Sequence, residues 1–360
     1  MRRRTFLRSL SAGIAGLAGC VDTPGSRSQT TTAEPGPGVR VKTVAMHLEI
    51  PWGAAFAPDG DLYLTERPGR IRRLRSSENE TVADFTDGIA HQGEGGLLGL
   101  VFHPEDDDLA FTYQTYRADG GLHNRIVRHR VSEGFAPDRV LLDGIPGASI
   151  HDGGRLAVHD GALYATAGDA GDGSNAQDRD SLAGSVLRLT IDGEPHPDNP
   201  WGTPVFTYGH RNPQGLAFYD GTLFSTEHGP DHDDEINVLE AGSNYGWPEV
   251  MGVESDDFVD PIATYTPTIA PGSATVYDGP IEEWQGDLFF GTLAGTHLHR
   301  VRIDGREVVE QERLLVGEYG RLRTAFTGPD DHLYVTTSNQ DGRGGTPAPQ
   351  DDRVLRLQPA

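Results

Sequence analysis

Short apolar runs with high β propensity recur along the chain, and each follows a turn made of Asp, Gly or His. The clear copies cover residues 59–64, 160–164 and 220–224, and weaker copies cover 108–111, 286–290 and 331–335. A second run with alternating apolar and polar positions follows each copy, at 70–74, 125–128, 185–189, 235–239, 297–301 and 353–357. Each pair of runs is typical of a β-hairpin. The pattern therefore predicts six units of roughly fifty residues, each with two clear strands and room for two more.

The repeated hairpins predict an all-β fold, a six-bladed β-propeller with four-stranded antiparallel blades. Radial packing of such sheets hides most strand edges. No segment shows a sustained helical period, and 47 glycines and 24 prolines suit the tight turns between strands. We expect the propeller domain to cover residues 41–360, with residues 39–50 completing the sheet formed by the last residues. A pair of β-sandwiches is the alternative, but it does not require the same hairpin six times.

The N-terminus has the pattern of an export signal. Arg3-Arg4 opens a twin-arginine pattern, and residues 10–18 form an apolar run too short to span a bilayer. Residues 17–20 read as a lipobox, so we expect a twin-arginine lipoprotein signal peptide at residues 1–20. Residues 21–40, rich in Ser, Thr, Pro and Gly, read as a flexible tether. A plain signal peptide with an incidental cysteine is the alternative.

Cys20 is the only cysteine in the chain. This excludes an internal disulfide and any cysteine-based metal cluster. At the end of the lipobox, Cys20 is instead the expected site of a lipid anchor. We therefore expect an exported, extracytoplasmic protein that is attached to the cell membrane only through the lipid at Cys20.

The chain is strongly acidic, with 54 acidic and 30 basic residues and a formal net charge of −24. This balance argues against nucleic acid or anionic lipid as the main partner. It resembles the composition of proteins from salt-loving organisms, whose acidic surfaces stay soluble while salt screens their self-repulsion. An ordinary acidic secreted protein is the alternative.

Polar, glycine-rich segments in the predicted loops are the candidates for a site, because ligands of propellers usually bind where loops converge at one mouth of the channel. They cover residues 93–100, 150–156, 208–215 and 227–237, the last running on into 242–248. At these segments the chain resembles the soluble glucose/sorbosone dehydrogenases, aldose sugar dehydrogenases that use pyrroloquinoline quinone (PQQ). The resemblance covers about residues 43–358, and its most specific motifs are His-Arg-Asn-Pro-Gln-Gly at 210–215 and the segment 229–248. That family has a six-bladed propeller, which agrees with the repeat count.

His151 is the predicted catalytic base. Oxidation of a sugar at its anomeric carbon removes the hydroxyl proton as hydride leaves the same carbon, and a neutral imidazole has a pKa near the working pH. A lone histidine, one of 14 in the chain, is more often structural, but the Gly-Gly-Arg-Leu context favours catalysis. The resemblance implies the same base, with hydride passing to PQQ. It also implies that Arg211 and Asn212 stabilise negative charge on the quinone oxygens.

Two arginines on one extended segment are the main predicted cofactor ligands. Arg321 and Arg323 emerge on the same side of that segment, and guanidinium groups match carboxylates in bidentate geometry. The resemblance implies that they bind the carboxylates of PQQ, whereas from spacing alone they read as exposed strand arginines. The resemblance also assigns Glu94 and Tyr265 to the cofactor site, with Tyr265 at a position where tryptophan is usual.

Two other positions depart from the pattern of the family. A lysine commonly offered to the cofactor corresponds to Ala294, and a glutamine of the family is absent near Ala170. A buried charged hydrogen bond is worth about 1.5–3 kcal/mol. Loss of the lysine would therefore weaken PQQ binding by about an order of magnitude or more.

The resemblance implies calcium as a second cofactor. Gly229 and Pro230 are the predicted ligands through their backbone carbonyls, and calcium accepts carbonyl, carboxylate and water oxygens in flexible geometry. Glu235 and the carbonyl of Tyr245 are assigned by resemblance to a second, structural calcium. The aspartates at 231, 233 and 234 read as a solvated acidic loop, and the acidic glycine loop at 169–180 has no spacing that demands an ion.

The prediction is thus a PQQ- and calcium-dependent dehydrogenase that oxidises the anomeric C1 hydroxyl of an aldose to a lactone. Its partners would be the small-molecule sugar and an external electron acceptor. One alternative is a propeller of the same lineage that has lost redox activity and serves as a binding module. Another is a calcium-dependent six-bladed hydrolase of the lactonase type, which a deep acidic metal cluster on the axis would favour.

Overall fold

Antiparallel strands form nearly all of the regular structure. The computed structural model describes residues 30–32, 38–75, 78–253 and 257–360. The strands, in chain order, are β1 (Thr30–Thr32), β2 (Val39–Ala45), β3 (Pro51–Phe56), β4 (Leu62–Glu66), β5 (Arg70–Arg75), β6 (Glu78–Asp84), β7 (Leu97–Phe102), β8 (Leu109–Ala118), β9 (Gly121–Arg130), β10 (Ala136–Gly147), β11 (Leu156–His159), β12 (Ala162–Ala167), β13 (Ser185–Thr190), β14 (Val205–Tyr208), β15 (Pro213–Tyr219), β16 (Thr222–Glu227), β17 (Asp234–Val238), β18 (Ala263–Tyr265), β19 (Pro271–Val276), β20 (Leu288–Thr292), β21 (Leu298–Asp304), β22 (Glu307–Leu314), β23 (Leu322–Thr327), β24 (Leu333–Thr337) and β25 (Val354–Pro359).

Helical structure in the described residues is limited to three short 3₁₀ turns, Val131–Glu133, Gly173–Gln177 and Glu282–Trp284. The all-β prediction is therefore confirmed. No helix among these residues has the length and apolar character that crossing a membrane requires. The predicted signal peptide and Cys20 lie outside the described residues. Within the predicted tether, Thr30–Thr32 form β1 and Val39 begins β2.

All the hairpins predicted from the pattern are present. The turn-and-strand runs fall in β4, β8, β12, β16, β20 and β24, and each pairs antiparallel with the following strand. The segment that was expected to complete the last sheet does so, because β2 pairs antiparallel with β25. Local alternation and turn chemistry were sufficient to find these strands.

The prediction of six separate four-stranded blades is wrong. Four four-stranded antiparallel sheets, β3–β6, β7–β10, β11–β14 and β15–β18, have the blade arrangement, but the remaining strands form one nine-stranded sheet. Its order is β1-β22-β21-β20-β19-β23-β24-β25-β2. The two halves join where β19 and β23 pair in parallel at Ser273 and Thr324. Glycine permits this approach, because a Cβ on Gly272 would lie 2.1 Å from the Arg323 carbonyl oxygen.

Large apolar side chains fill the spaces between neighbouring sheets. One cluster, for example, joins Trp52 of the first sheet, Phe111 of the second and Leu187 of the third, all fully or almost fully buried. Successive antiparallel strands alternate in direction. The loops between the second and third strands of each sheet, and those leading to the next sheet, therefore emerge at one end. This end carries the segments 93–100, 150–156, 208–215 and 227–237. The segment 242–248 belongs to the long connection between β17 and β18 and reaches the same end through the contact of Trp247 with Asp169.

Candidate active site

A histidine–aspartate pair lies at this end. His151 Nδ1 is 2.7 Å from Asp169 Oδ1, and both side chains are almost completely buried. Asp169 also accepts hydrogen bonds from the backbone of Gly171 and, at its other oxygen, from the indole N–H of Trp247 at 2.8 Å. The carboxylate accepts a hydrogen bond from Nδ1–H, so a neutral His151 carries its lone pair on Nε2, which takes no part in the contact with Asp169. The arrangement presents a base.

The loop of His151 is held by a second carboxylate. Glu94 Oε2 accepts from the backbone N–H of His151 at 2.9 Å and from the side-chain amide of Asn212 at 3.1 Å. Its other oxygen accepts from Arg343 at 2.8 Å. Burial alone would raise the pKa of Glu94, but the hydrogen bond and positive charge of Arg343, together with the hydrogen bond from the His151 backbone, hold it at about 2. Glu94 therefore remains ionised and fixes the position of the base.

Backbone geometry at His151 depends on glycine. His151 itself has a φ of 62°, in the left-handed region. A Cβ on Gly168 would lie 2.1 Å from the His151 carbonyl oxygen. Only glycine at position 168 lets the two loops approach so closely.

Arg211 lies beside this pair. Its Nη1 donates to the carbonyl oxygens of His228 at 3.1 Å and Gly229 at 2.7 Å, and its guanidinium carbon is 5.3 Å from the centre of a Trp247 ring. Its Nε is buried with no hydrogen-bond partner among the described residues. Burial lowers the pKa of Arg211. A fixed, partly desolvated cation therefore lies beside the base.

Two further arginines lie close to the same tryptophan. The guanidinium carbons of Arg155 and Arg323 lie 4.1 Å and 5.7 Å from the centre of a Trp52 ring. Arg155 donates to the backbone carbonyl of Gln214, and Arg323 to its side-chain oxygen at 3.0 Å. Burial lowers the pKa of each arginine to about 9. Neither forms an ion pair with a described carboxylate, so this cluster carries positive charge that an anion would offset.

Arg321 is placed differently from Arg323. Two of its nitrogens donate to the buried carboxylate of Asp341, at 2.9 Å and 3.1 Å, and Nη1 donates to the carbonyl oxygen of Leu293 at 3.0 Å. Arg321 is thus already compensated by Asp341. The next residue after Leu293 is Ala294, the position at which the family offers a lysine.

The four predicted metal ligands lie around one small cavity. Gly229, Pro230, Glu235 and Tyr245 line a space of about 20 Å³, together with Arg211, Glu227 and others. Burial, and then the negative charge of Glu227, raise the pKa of Glu235. The space suits a single water or ion. No group of three or more potential metal-binding His, Cys, Asp or Glu side chains occurs among the described residues.

Tyr265 is not brought to this site. Its ring packs against Phe290 and His299, and its hydroxyl donates to Gln311 at 2.8 Å. It belongs to the apolar core between two sheets, and its assignment to the cofactor stays a prediction. Asp234, read from the sequence as a solvated residue, is instead fully buried and accepts hydrogen bonds from Gly229, Ile269 and the Thr268 hydroxyl.

Several residues of the site were not predicted individually. Asp169, Trp247, Gln214, Arg155 and Asp341 carry much of the geometry described above. Three of them lie inside motifs recognised from the sequence, Arg155 at 150–156, Gln214 at 208–215 and Trp247 at 242–248. Asp169 begins the acidic glycine loop, and only its contact with His151 distinguishes it from the other acids there. Asp341 has no such signal.

Comparisons with known proteins identify relatives over most of the chain. A family model described as Glucose / Sorbosone dehydrogenase matches residues 48–346. The aldose sugar dehydrogenase YliI of Escherichia coli K12 is 32% identical over 340 residues, covering 84% of this chain and 91% of that protein. Quinoprotein glucose dehydrogenase B of Acinetobacter calcoaceticus is 29% identical, covering 82% of this chain and 84% of that protein. The PQQ-bound aldose sugar dehydrogenase of Streptomyces coelicolor is 39% identical with a TM-score of 0.81, covering 91% of this chain and all of that one.

These matches show that the chain is an oxidoreductase. It belongs to the glucose/sorbosone dehydrogenase family, whose model covers most of its length.

Proposed function

We propose that the chain oxidises the anomeric C1 hydroxyl of an aldose to a lactone, with PQQ as the hydride acceptor and His151 as the base. The observation that carries this proposal is the His151–Asp169 pair at the end of the sheets where the arginines also gather. The reaction removes one proton and one hydride from the sugar. PQQ, when bound, supplies a quinone that accepts the hydride together with its two electrons.

His151 takes the hydroxyl proton at Nε2. Asp169 holds the Nδ1 proton on the far side of the ring, and its negative charge stabilises the imidazolium that forms. Trp247 fixes the second oxygen of Asp169, and Glu94 fixes the backbone of His151. The base is therefore oriented before the substrate binds, which reduces the reorganisation needed during reaction.

The charge of the site fits an anionic cofactor. Arg155 and Arg323 are buried without a described carboxylate partner, and the positive charge of Arg67 also acts on Arg323. The buried Nε atoms of Arg67 and Arg211 have no hydrogen-bond partner among the described residues. PQQ carries three carboxylates, so these groups and Arg321 would hold it, with Arg211 beside the quinone. Asn212 and Glu94 would act by positioning the His151 loop. Ala294 offers no cation.

Calcium is a separate part of the proposal. The carbonyl oxygens of Pro230 and Tyr245 accept no hydrogen bond from a described residue, and the Glu235 carboxylate lines the same small cavity. These are oxygen ligands of the kind that calcium prefers. The Gly229 carbonyl differs, because Arg211 already donates to it. The cavity would hold one ion, in place of the two that the sequence predicts at these four residues, and its charge would offset that of Glu227 and Glu235.

The alternatives have less support. A hydrolase of the lactonase type would gather side-chain carboxylates around a metal, and no such cluster is found in the described part of the chain. A binding module would not need an oriented base. Export and the lipid anchor at Cys20 remain part of the proposal, and would place the enzyme where it meets external sugars and an external electron acceptor.

The test uses the purified protein with added PQQ and calcium in high salt. Reduction of an artificial dye is followed across a panel of aldoses, and PQQ binding is measured separately by fluorescence quenching. We expect dye reduction that requires PQQ, and a lactone or its hydrolysed acid as the product. Absence of both reduction and PQQ binding would refute the proposed function. A His151→Ala variant that binds PQQ and remains fully active would refute only the assignment of the base.

A further inference from the structure

A large groove opens next to the active site. It has a volume of about 840 Å³ and lies between β18 with its following loop on one side and β22 on the other. Ala294 and Gly295 line it, and Leu293, immediately before them, accepts a hydrogen bond from Arg321. The loop containing these residues joins the second and third strands of its half-sheet, so the groove opens at the same end as His151. Its volume is in the range of small-molecule sites.

The groove has an unusual charge for this chain. None of the described residues that line it is Asp or Glu, although the whole sequence contains 54 acidic residues. Acidic surface repels anions, and the described residues of this wall contribute no such repulsion. This composition therefore favours a negatively charged occupant.

Arg313 is the cation of the groove. Its side chain forms no hydrogen bond or ion pair with a described residue, and its Nε is buried without a partner among these residues. Arginines on the neighbouring strand β21 behave differently, since Arg300 pairs with Asp287 and Glu312, and Arg302 with Glu310. A guanidinium that is partly buried and unpaired in an acidic protein is a ready receptor for an external carboxylate or sulfonate.

The rest of the lining is neutral. Val253 and Val316 are 59% and 45% exposed, so they offer apolar surface at the rim. His297 donates from Nδ1 to the Gly295 carbonyl and contacts His299 at 2.9 Å, and burial lowers the pKa of His297 to about 4. His297 is therefore neutral, and Arg313 supplies the charge. A molecule with one anionic group and an apolar or hydroxylated body would match this surface.

We propose that this groove binds a small organic anion, with its carboxylate or sulfonate on Arg313 and its body against Val253 and Val316. Two sources share this chemistry, an acidic saccharide such as a uronic acid and an anionic quinone-type electron acceptor. The choice between these sources rests on the proposed dehydrogenase function, whereas binding of the anion does not. Neither PQQ nor catalysis is needed to observe it.

The test is isothermal titration calorimetry on the full protein without added PQQ. The probes are D-glucuronate, its neutral counterpart D-glucose, and anthraquinone-2-sulfonate. Arg313→Gln removes the receptor, and Arg306→Gln is the matched control, because Arg306 is exposed and pairs with Glu240 instead. Val316→Asp adds an acid at the exposed rim without touching Arg313, which keeps the test valid if the Arg313 variant folds poorly.

We expect at least one anionic probe to bind more tightly than glucose. Arg313→Gln should weaken that binding about tenfold or more, Val316→Asp should also weaken it, and Arg306→Gln should leave it unchanged. Binding of glucuronate would indicate an acidic saccharide, and binding of the sulfonate would indicate an electron acceptor. The inference is overturned if neither anion binds, or if the control variant weakens binding as much as Arg313→Gln. Either failure would leave dye reduction with PQQ, and hence the dehydrogenase proposal, untouched.

Discussion

Replacement of Asp169 by Asn tests the proposed base, because it removes one charge and preserves the shape of the side chain. One oxygen of Asp169 accepts from His151 and from the backbone of Gly171, and the other accepts from Trp247. An amide has only one oxygen, so at least one donor must face an NH₂ group. If that donor is His151, the imidazole must carry its proton on Nε2, where the lone pair is needed.

The lost charge sets the size of the effect. When His151 takes the proton it becomes a cation, and two opposite charges about 4 Å apart attract each other by about 4 kcal/mol at an effective dielectric constant of about 20. Water and reorganisation reduce this value, and half of it, about 2 kcal/mol, still corresponds to about 30-fold in rate. We therefore expect kcat to fall between about 30-fold and about 1,000-fold.

The assay is rapid mixing of the PQQ-loaded protein with saturating aldose, with PQQ affinity and Tm measured on the same samples. Asp172→Asn is the matched control, since Asp172 is an exposed residue of the same loop that caps the 3₁₀ turn through Ser174. Its rate should equal that of the parent. Our reasoning fails if Asp169→Asn keeps more than half of the parental kcat, or if the control loses as much.

Three further predictions follow from particular residues. Arg323→Gln should weaken PQQ binding about ten- to a hundredfold, as measured by fluorescence titration, and an unchanged Kd would remove Arg323 from the cofactor site. Burial raises the pKa of Asp152 to about 7, above its unfolded value of about 4. Between these two pH values the folded protein keeps a proton that the unfolded chain has lost, so the free energy of unfolding falls as the pH rises from about 4 to about 7. Asp152→Asn should abolish this fall and be more stable than the parent at pH 8 by about 1–4 kcal/mol. The measurement is urea unfolding of both proteins at pH 5 and pH 8, and an equal loss of stability in variant and parent between these pH values would contradict the prediction. Cys20→Ala should move the protein from the membrane fraction to the soluble fraction after expression in the native host, and retention in the membrane would exclude the anchor.

The strands could be predicted from the sequence, whereas the number of sheets could not. Strand pattern and turn chemistry are local, and runs such as 59–64 and 70–74 are adjacent in the chain. The joining of β19 to β23 depends on one parallel contact between Ser273 and Thr324, residues about fifty positions apart. Nothing in either segment distinguishes strands that stop at a blade edge from strands that pair across it.

In the site, too, residues within local motifs could be predicted, whereas their partners from distant parts of the chain could not. Glu94, His151, Arg211 and Asn212 were predicted from motifs. The structure joins His151 and Asn212 to Glu94 through hydrogen bonds, and the Arg211 side chain donates instead to the carbonyl oxygens of His228 and Gly229. Tyr265 was assigned by resemblance, but its side chain points into the core because it alternates with outward-facing neighbours in β18. Partners such as Asp169 were missed because a carboxylate in an acidic chain carries no signal until its neighbour is known.

Asp341 is a second carboxylate whose role could not be predicted from the sequence. The sequence predicts Arg321 and Arg323 as equivalent cofactor ligands, since they alternate on one segment. The structure makes them unequal, because Asp341 neutralises Arg321, whereas the side chain of the buried Arg323 has, among the described residues, hydrogen bonds only to the amide of Gln214 and the hydroxyl of Ser338. An anionic cofactor therefore gains more from Arg323, where no existing ion pair must be weakened.

The contact between Arg211 and Gly229 predicts that binding of calcium and binding of PQQ are coupled. Nη1 of Arg211 donates to the carbonyl oxygen that is also the predicted calcium ligand. A divalent cation about 4 Å from a guanidinium is repelled by about 8 kcal/mol at an effective dielectric constant of about 20. The two carboxylates of the cavity offset only part of this, because Glu227 already accepts from His210 and from the backbone of Arg211, and burial raises the pKa of Glu235. The carboxylates of PQQ would supply the missing negative charge, so calcium and PQQ should each raise the affinity of the other by the same factor. Equal calcium Kd values with and without PQQ would mean that calcium does not bind at Gly229.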